Sequence, residues 1–119
     1  MSETPGQKSE LSPLARKARG VLFVIHLFPA VMNGVAGFVF YLLAARAWDI
    51  GPALVLGLSI FLVHAAIGSL NDYLDVELDR TSRPDKPLVR GDLAPQEAFI
   101  LSAVAAVGGV LLSLVFGLE

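Results

Sequence analysis

Three long stretches of this 119-residue chain carry no formally charged side chain: residues 20–45, 50–70 and 98–118. The first runs for 26 residues, and about 20 apolar residues in a helix already cross the hydrocarbon core of a bilayer. Inside lipid a helix satisfies its own backbone hydrogen bonds, so runs of this length are read as membrane spans. Composition agrees: 55% of the residues are apolar and only 17% are charged, which is not the balance of a soluble globule. The expected fold class is therefore all-α, a polytopic membrane helix bundle with spans near residues 20–45, 50–71 and 95–118. Its first partner is the lipid bilayer. A net charge of −2 without an extended basic run gives no support to nucleic-acid binding, and the absence of cysteine excludes disulfides and thiolate metal sites.

The segments between the spans set the orientation. Residues 1–15 are polar and read as a disordered tail, ahead of Arg16, Lys17 and Arg19. Lys and Arg concentrate ahead of the first span (Lys8, Arg16, Lys17 and Arg19) and in the connection between the second and third spans, whereas the first connection holds only Arg46. By the positive-inside rule the N-terminus and the loop at residues 72–94 lie in the cytoplasm. Trp48 suits the membrane interface, and Pro52 and Pro95 each suit the first turn of a following helix.

The second span ends in Asn71-Asp72-Tyr73-Leu74-Asp75-Val76-Glu77-Leu78-Asp79-Arg80. On a helix that continues past the membrane edge, Asn71, Asp75, Asp79 and Asp72 fall within about 100° of one another, while Glu77 points elsewhere. Like charges on one face repel, so a cation should offset them. Carboxylate and amide oxygens suit Mg²⁺, which is usually held by one or two carboxylates together with substrate phosphates. Immediately afterwards, a loop marked by Pro84, Pro87 and Gly91 brings Arg80, Arg83, Lys86 and Arg90. These cations can meet phosphate oxygens, set topology, or do both. The blander reading of the acidic run is a solvated connection.

Polar residues within spans normally face protein or a cavity. His26, Pro29, Asn33 and Gly37 share one face of the first expected helix, and His64 shares the Asn71 side of the second with Gly57 and Gly68. Asn33, His64 and Gly68 are the candidate pocket-lining residues. The alternative is that Gly34 and Gly37 allow close helix packing while Asn33 bonds a neighbouring backbone.

The pattern Asn71-Asp72-x-x-Asp75-x-x-x-Asp79-Arg80, followed by Arg83-Pro84-x-Lys86-Pro87-Leu88 and Gly91, resembles the first aspartate-rich motif of the UbiA superfamily of intramembrane prenyltransferases. The resemblance implies a bundle of typically nine spans. It also implies Mg²⁺-dependent transfer of a polyprenyl group from its diphosphate to an aromatic or other lipophilic acceptor. In that reading Asn71, Asp72, Asp75 and Asp79 hold the metal, and Asn71, Asp75 and Asp79 are the catalytic set. Arg80 and Lys86, with Arg83 and Arg90, bind the diphosphate.

Two features depart from the family pattern. Lys86 stands where relatives commonly carry Arg, which replaces a two-pronged donor with a point charge. A second aspartate-rich motif is absent, because only Asp85, Asp92, Glu97 and Glu119 follow Asp79. The expectation is therefore that residues 16–119 form the N-terminal three-helix part of a larger bundle, inactive without the remaining helices. The competing reading from another class is a small non-catalytic membrane protein that self-associates through its glycine-bearing helices.

Overall fold

The computed structural model describes residues 11–46 and 48–117, which fold into six helices and a short 3₁₀ turn, without a strand among them. In chain order the helices are α1 (Pro13–Val24), α2 (Leu27–Ala45), α3 (Ile50–Leu74), α4 (Val76–Ser82), α5 (Pro87–Arg90) and α6 (Pro95–Ser113), the last running into the turn Leu114–Phe116. The all-α bundle expected from hydropathy is what the chain forms. Three helical segments, Leu27–Ala45, Ile50–Leu74 and Pro95–Phe116, are long and apolar enough to cross a membrane. Residues 1–10, most of the expected polar tail, lie outside the described residues.

The first expected span is two helices, not one. Pro29 has no N–H to donate to residue 25, and its ring crowds that carbonyl in a continuous helix. The chain responds by ending α1 at Val24 and restarting at Leu27, with His26 left-handed at φ 52° and ψ 55°. Pro29 then sits in the first turn of α2, where no backbone donor is required. At the start of α1, Ser12 caps the helix by accepting from the Ala15 N–H at 3.2 Å, and Pro13 occupies the first helical position.

α3 is the central element, and α2 and α6 both pack along it. These interfaces are built from small residues, as expected where lipid offers large apolar side chains an equally apolar surrounding. Gly34 of α2 and Gly57 of α3 face each other so closely that a Cβ on Gly34 would lie 2.9 Å from the Gly57 carbonyl oxygen, and one on Gly57 would lie 2.8 Å from that of Gly34. On the other side of α3, the Ser59 hydroxyl donates to the Gly109 carbonyl at 2.7 Å and the Ser102 hydroxyl donates to the Ala66 carbonyl at 2.9 Å. Bulky residues such as Phe28, Phe40, Leu43 and Val104 point outward.

Among the described residues, larger aliphatic groups are buried together at the end that carries the acidic motif. There Val24, Leu88, Leu93 and Ala98 form a buried cluster flanked by Val21, Tyr73 and Leu101. The cluster ties the motif loop to α1: a Cβ on Gly20 would already touch Pro87 at 3.4 Å and Leu93 at 3.6 Å. Burial of this kind stabilises by about 25 cal/mol per Å² of apolar surface, and here it fixes the loop that completes the site.

Candidate functional site

α3 runs for 25 residues, about 37 Å at 1.5 Å per residue, and so is long enough to carry Asn71 and Asp72 past the edge of a hydrocarbon core about 30 Å thick. It ends at Leu74. Asp75 forms a one-residue step at φ −88° and ψ 0°, and α4 resumes with Asp79 in its middle. Backbone bonds from Asp75 N–H to the Asn71 carbonyl (2.9 Å) and from Asp79 N–H to the Asp75 carbonyl (2.8 Å) keep the two segments nearly in register.

The four motif residues divide between inside and outside. Asp72 and Asp79 are buried, 3% and 5% exposed, whereas Asn71 and Asp75 are exposed. Asp72 and Asp79 lie seven residues apart, close to two helical turns, and so share a bearing that Asn71 and Asp75 do not.

The cation that offsets this pair is Lys86. Its Nζ donates to Asp72 Oδ1 at 2.8 Å and to Asp79 Oδ2 at 2.7 Å, and the residue is only 8% exposed. The loop delivers it by local geometry. A residue before proline is pushed towards extended backbone, and Lys86, ahead of Pro87, sits at φ −64° and ψ 144°. Pro87 opens α5, Gly91 closes it in the left-handed region at φ 78°, and buried Pro87 and Leu88 hold the turn against α1. Burial pulls the lysine pKa down, but hydrogen bonds and attraction from Asp72 and Asp79 outweigh it and leave the ammonium above its ordinary value of 10.5.

His26 completes the cluster. Its Nε2 stands 3.7 Å from Asp72 Oδ1, too long for a hydrogen bond but within electrostatic reach. Gly68 makes room for it, since a Cβ there would meet His26 Cγ at 3.0 Å and the Val24 carbonyl oxygen at 3.0 Å. Gly68 therefore seats the α1–α2 break against α3. The signal for His26 was Pro29, three residues on, which forbids the continuous helix on which its bearing had been projected.

The other expected site residues are distributed as follows. Arg83 is exposed and, with His26 and Lys86, lines a cavity of about 410 Å³ whose apolar wall includes Leu22, Phe23 and Phe28. Arg80 pairs with Glu77 at 3.1 Å and Arg90 with Asp92 at 3.2 Å. Asn33 is exposed and returns its amide to the Pro29 carbonyl of its own helix at 2.8 Å, while His64 is half-buried on α3. The structure thus brings Asp72, Asp79, Lys86, His26, Gly68 and Arg83 together and leaves Asn71, Asp75, Arg80, Arg90 and Asn33 facing other ways.

Among the described residues no three His, Asp or Glu side chains converge as a metal cage. The donor chemistry nonetheless suits a hard divalent cation that takes two carboxylates and completes its sphere with substrate phosphate. Asp72 Oδ2 is buried without a hydrogen-bond partner, as is the Ser69 hydroxyl one turn earlier, and such an orphaned oxygen costs free energy until something meets it.

Comparison with known proteins gives the family. The model of the UbiA prenyltransferase family matches residues 27–119. The chain belongs to that family. Among UbiA-family relatives, it is 34% identical over 84 residues to the digeranylgeranylglyceryl phosphate synthase of Methanoculleus marisnigri, covering 71% of this chain and 30% of the relative. It is 30% identical to the synthase of the same name from Methanocaldococcus jannaschii, covering 82% and 35%. For that of Sulfolobus acidocaldarius the identity is 31%, covering 84% and 36%. The chain spans about a third of the length of these relatives. No solved structure matches it.

Proposed function

We propose that this chain supplies the diphosphate-binding third of a Mg²⁺-dependent prenyltransferase, which moves a polyprenyl group from its diphosphate to a lipophilic acceptor within the membrane. The observation that carries the reading is the buried Asp72–Lys86–Asp79 cluster at the end of a spanning helix, beside a cavity with an apolar wall and a basic rim. Asp72 and Asp79 would hold the metal, while Asn71 and Asp75 face away from them. Bound there, Mg²⁺ would neutralise charge building on the departing diphosphate.

The chain's own residues account for the rest of the site. Arg83 and Lys86 meet the phosphate oxygens left over, because both line the cavity and Arg80 and Arg90 do not. Leu22, Phe23 and Phe28 lie along the first part of the prenyl tail and keep water from the allylic carbon. Further helices close the bundle around the acceptor. The concentration of Lys and Arg ahead of the first span and in the motif loop supports a cytoplasmic position for this end. The names of the relatives favour a glyceryl phosphate lipid over an aromatic acceptor.

The alternative of a self-associating, non-catalytic protein draws less support, because Gly34, Gly57 and Gly109 are used within the chain to bring α2 and α6 against α3. The test is prenyl transfer from geranylgeranyl diphosphate by membranes containing the full-length protein. Transfer should require Mg²⁺ and be lost in Asp72→Asn and Asp79→Asn. Variants that transfer as well as the parent would overturn the proposal.

A further inference from the structure

Lys86 stands where a cation held by Asp72 and Asp79 would stand. Its ammonium takes one oxygen from each carboxylate, and the cluster is almost closed to solvent. Two negative charges face one positive charge, with Asp72 Oδ2 left unpartnered. A divalent cation added beside a fixed ammonium would face like-charge repulsion in a buried space. One that replaces the ammonium would leave the pair neutralised. The displaced lysine also has somewhere to go, since it lines the cavity shared with Arg83 and His26.

We propose that Lys86 is a positioning residue that acts as an internal stand-in for the divalent cation, holding Asp72 and Asp79 together before substrate arrives and leaving at least one carboxylate when metal and diphosphate enter. The inference rests on the reading of Asp72 and Asp79 as cation-holding residues. It adds that the metal-free site is latched by its own lysine, so the cation binds weakly until an anionic substrate draws the ammonium away. The diphosphate thereby does two things: it supplies oxygen ligands and it removes a competitor. Tight metal loading is coupled to substrate binding, and the acids are kept assembled between turnovers instead of repelling one another.

The experiment is Mn²⁺ binding to the purified full-length protein in nanodiscs, without substrate, read from the free-ion electron paramagnetic resonance signal. Wild type, Lys86→Met, Lys86→Arg, and Lys86→Met combined with Asp72→Asn are compared. Removing the competing ammonium should tighten Mn²⁺ binding roughly tenfold or more. Lys86→Arg, which keeps the charge, should stay near wild type, and the double variant should lose the gain. Because Lys86→Met leaves two buried carboxylates facing each other, its folding is measured in parallel by thermal unfolding: Mn²⁺ should raise its midpoint more than that of wild type. If it is recovered folded only when purified with Mn²⁺, the ion has taken the lysine's place, as proposed.

Equal Mn²⁺ affinity in wild type and Lys86→Met, with both abolished by Asp72→Asn, would sink the latch while leaving the carboxylates as the cation site. Weaker binding in Lys86→Met, or a variant that Mn²⁺ cannot rescue, would make the lysine a structural strut and overturn the proposal. Binding indifferent to Asp72 would remove the underlying site reading instead.

Discussion

Gly57→Ala tests whether the α2–α3 interface depends on backbone contact. A Cβ at Gly57 would lie 2.8 Å from the Gly34 carbonyl oxygen and 3.2 Å from Phe38 Cβ. Neither neighbour is the free end of a flexible side chain. Relieving the oxygen contact requires the helices to separate by about half an ångström, and overpacking of this sort costs about 1–3 kcal/mol. The substitution also gains about 1 kcal/mol, because alanine is the better helix former. The net expectation is destabilisation by up to about 2 kcal/mol. Gly108→Ala is the internal control. It receives the same propensity gain, but its Cβ would meet only the tip of Leu62 at 3.4 Å, so it should be neutral or stabilising by up to about 1 kcal/mol. Both variants can be compared by reversible unfolding in mixed detergent micelles, followed by circular dichroism. Equal stability of the two would refute the close approach of Gly34 and Gly57 and, with it, the placement of α2 on α3.

Ser59→Ala and Ser102→Ala should each cost about 1 kcal/mol in the same assay, and the double variant should be close to additive because the bonds tie different turns of α3. On the proposed function, Arg83→Ala should raise the KM for prenyl diphosphate clearly more than Arg80→Ala, because Arg83 lines the cavity with His26 and Lys86 and Arg80 does not. The raised pKa of Lys86 fixes the sign of its pH dependence: the folded state holds this proton more tightly, so the contribution is complete below the ordinary value of 10.5 and is lost only as pH rises through the higher folded value. Unfolding midpoints measured across the neutral and mildly alkaline range should therefore show no loss traceable to Lys86, whereas strongly alkaline buffer should destabilise wild type more than Lys86→Arg.

The spans were legible because hydrocarbon imposes its demand locally. A helix closes its own hydrogen bonds, so the length and charge of a segment suffice to place it, and α3 and α6 fall near their expected positions. The acidic motif was legible as a set of residue types at helical spacing. Which of its members are buried was not. The projection put Asn71, Asp72, Asp75 and Asp79 on one face, but burial of that face depends on what packs against it. Here that is a loop seated by Leu88 and Leu93, which the helix itself does not specify.

By itself, then, the order of residues determined an all-α membrane fold, the position of an acid-rich helix end at the membrane boundary, and a basic loop behind it. Only the tertiary structure decided that Lys86, not Arg80, comes back to Asp72 and Asp79, that Pro29 turns His26 towards Asp72, and that the glycines pack within the chain. The physical reason is range. Hydropathy and helical periodicity act over a few turns of one segment, whereas a buried ammonium between two carboxylates requires α1, α3, α4 and the α5 loop to be docked before the pairing becomes favourable.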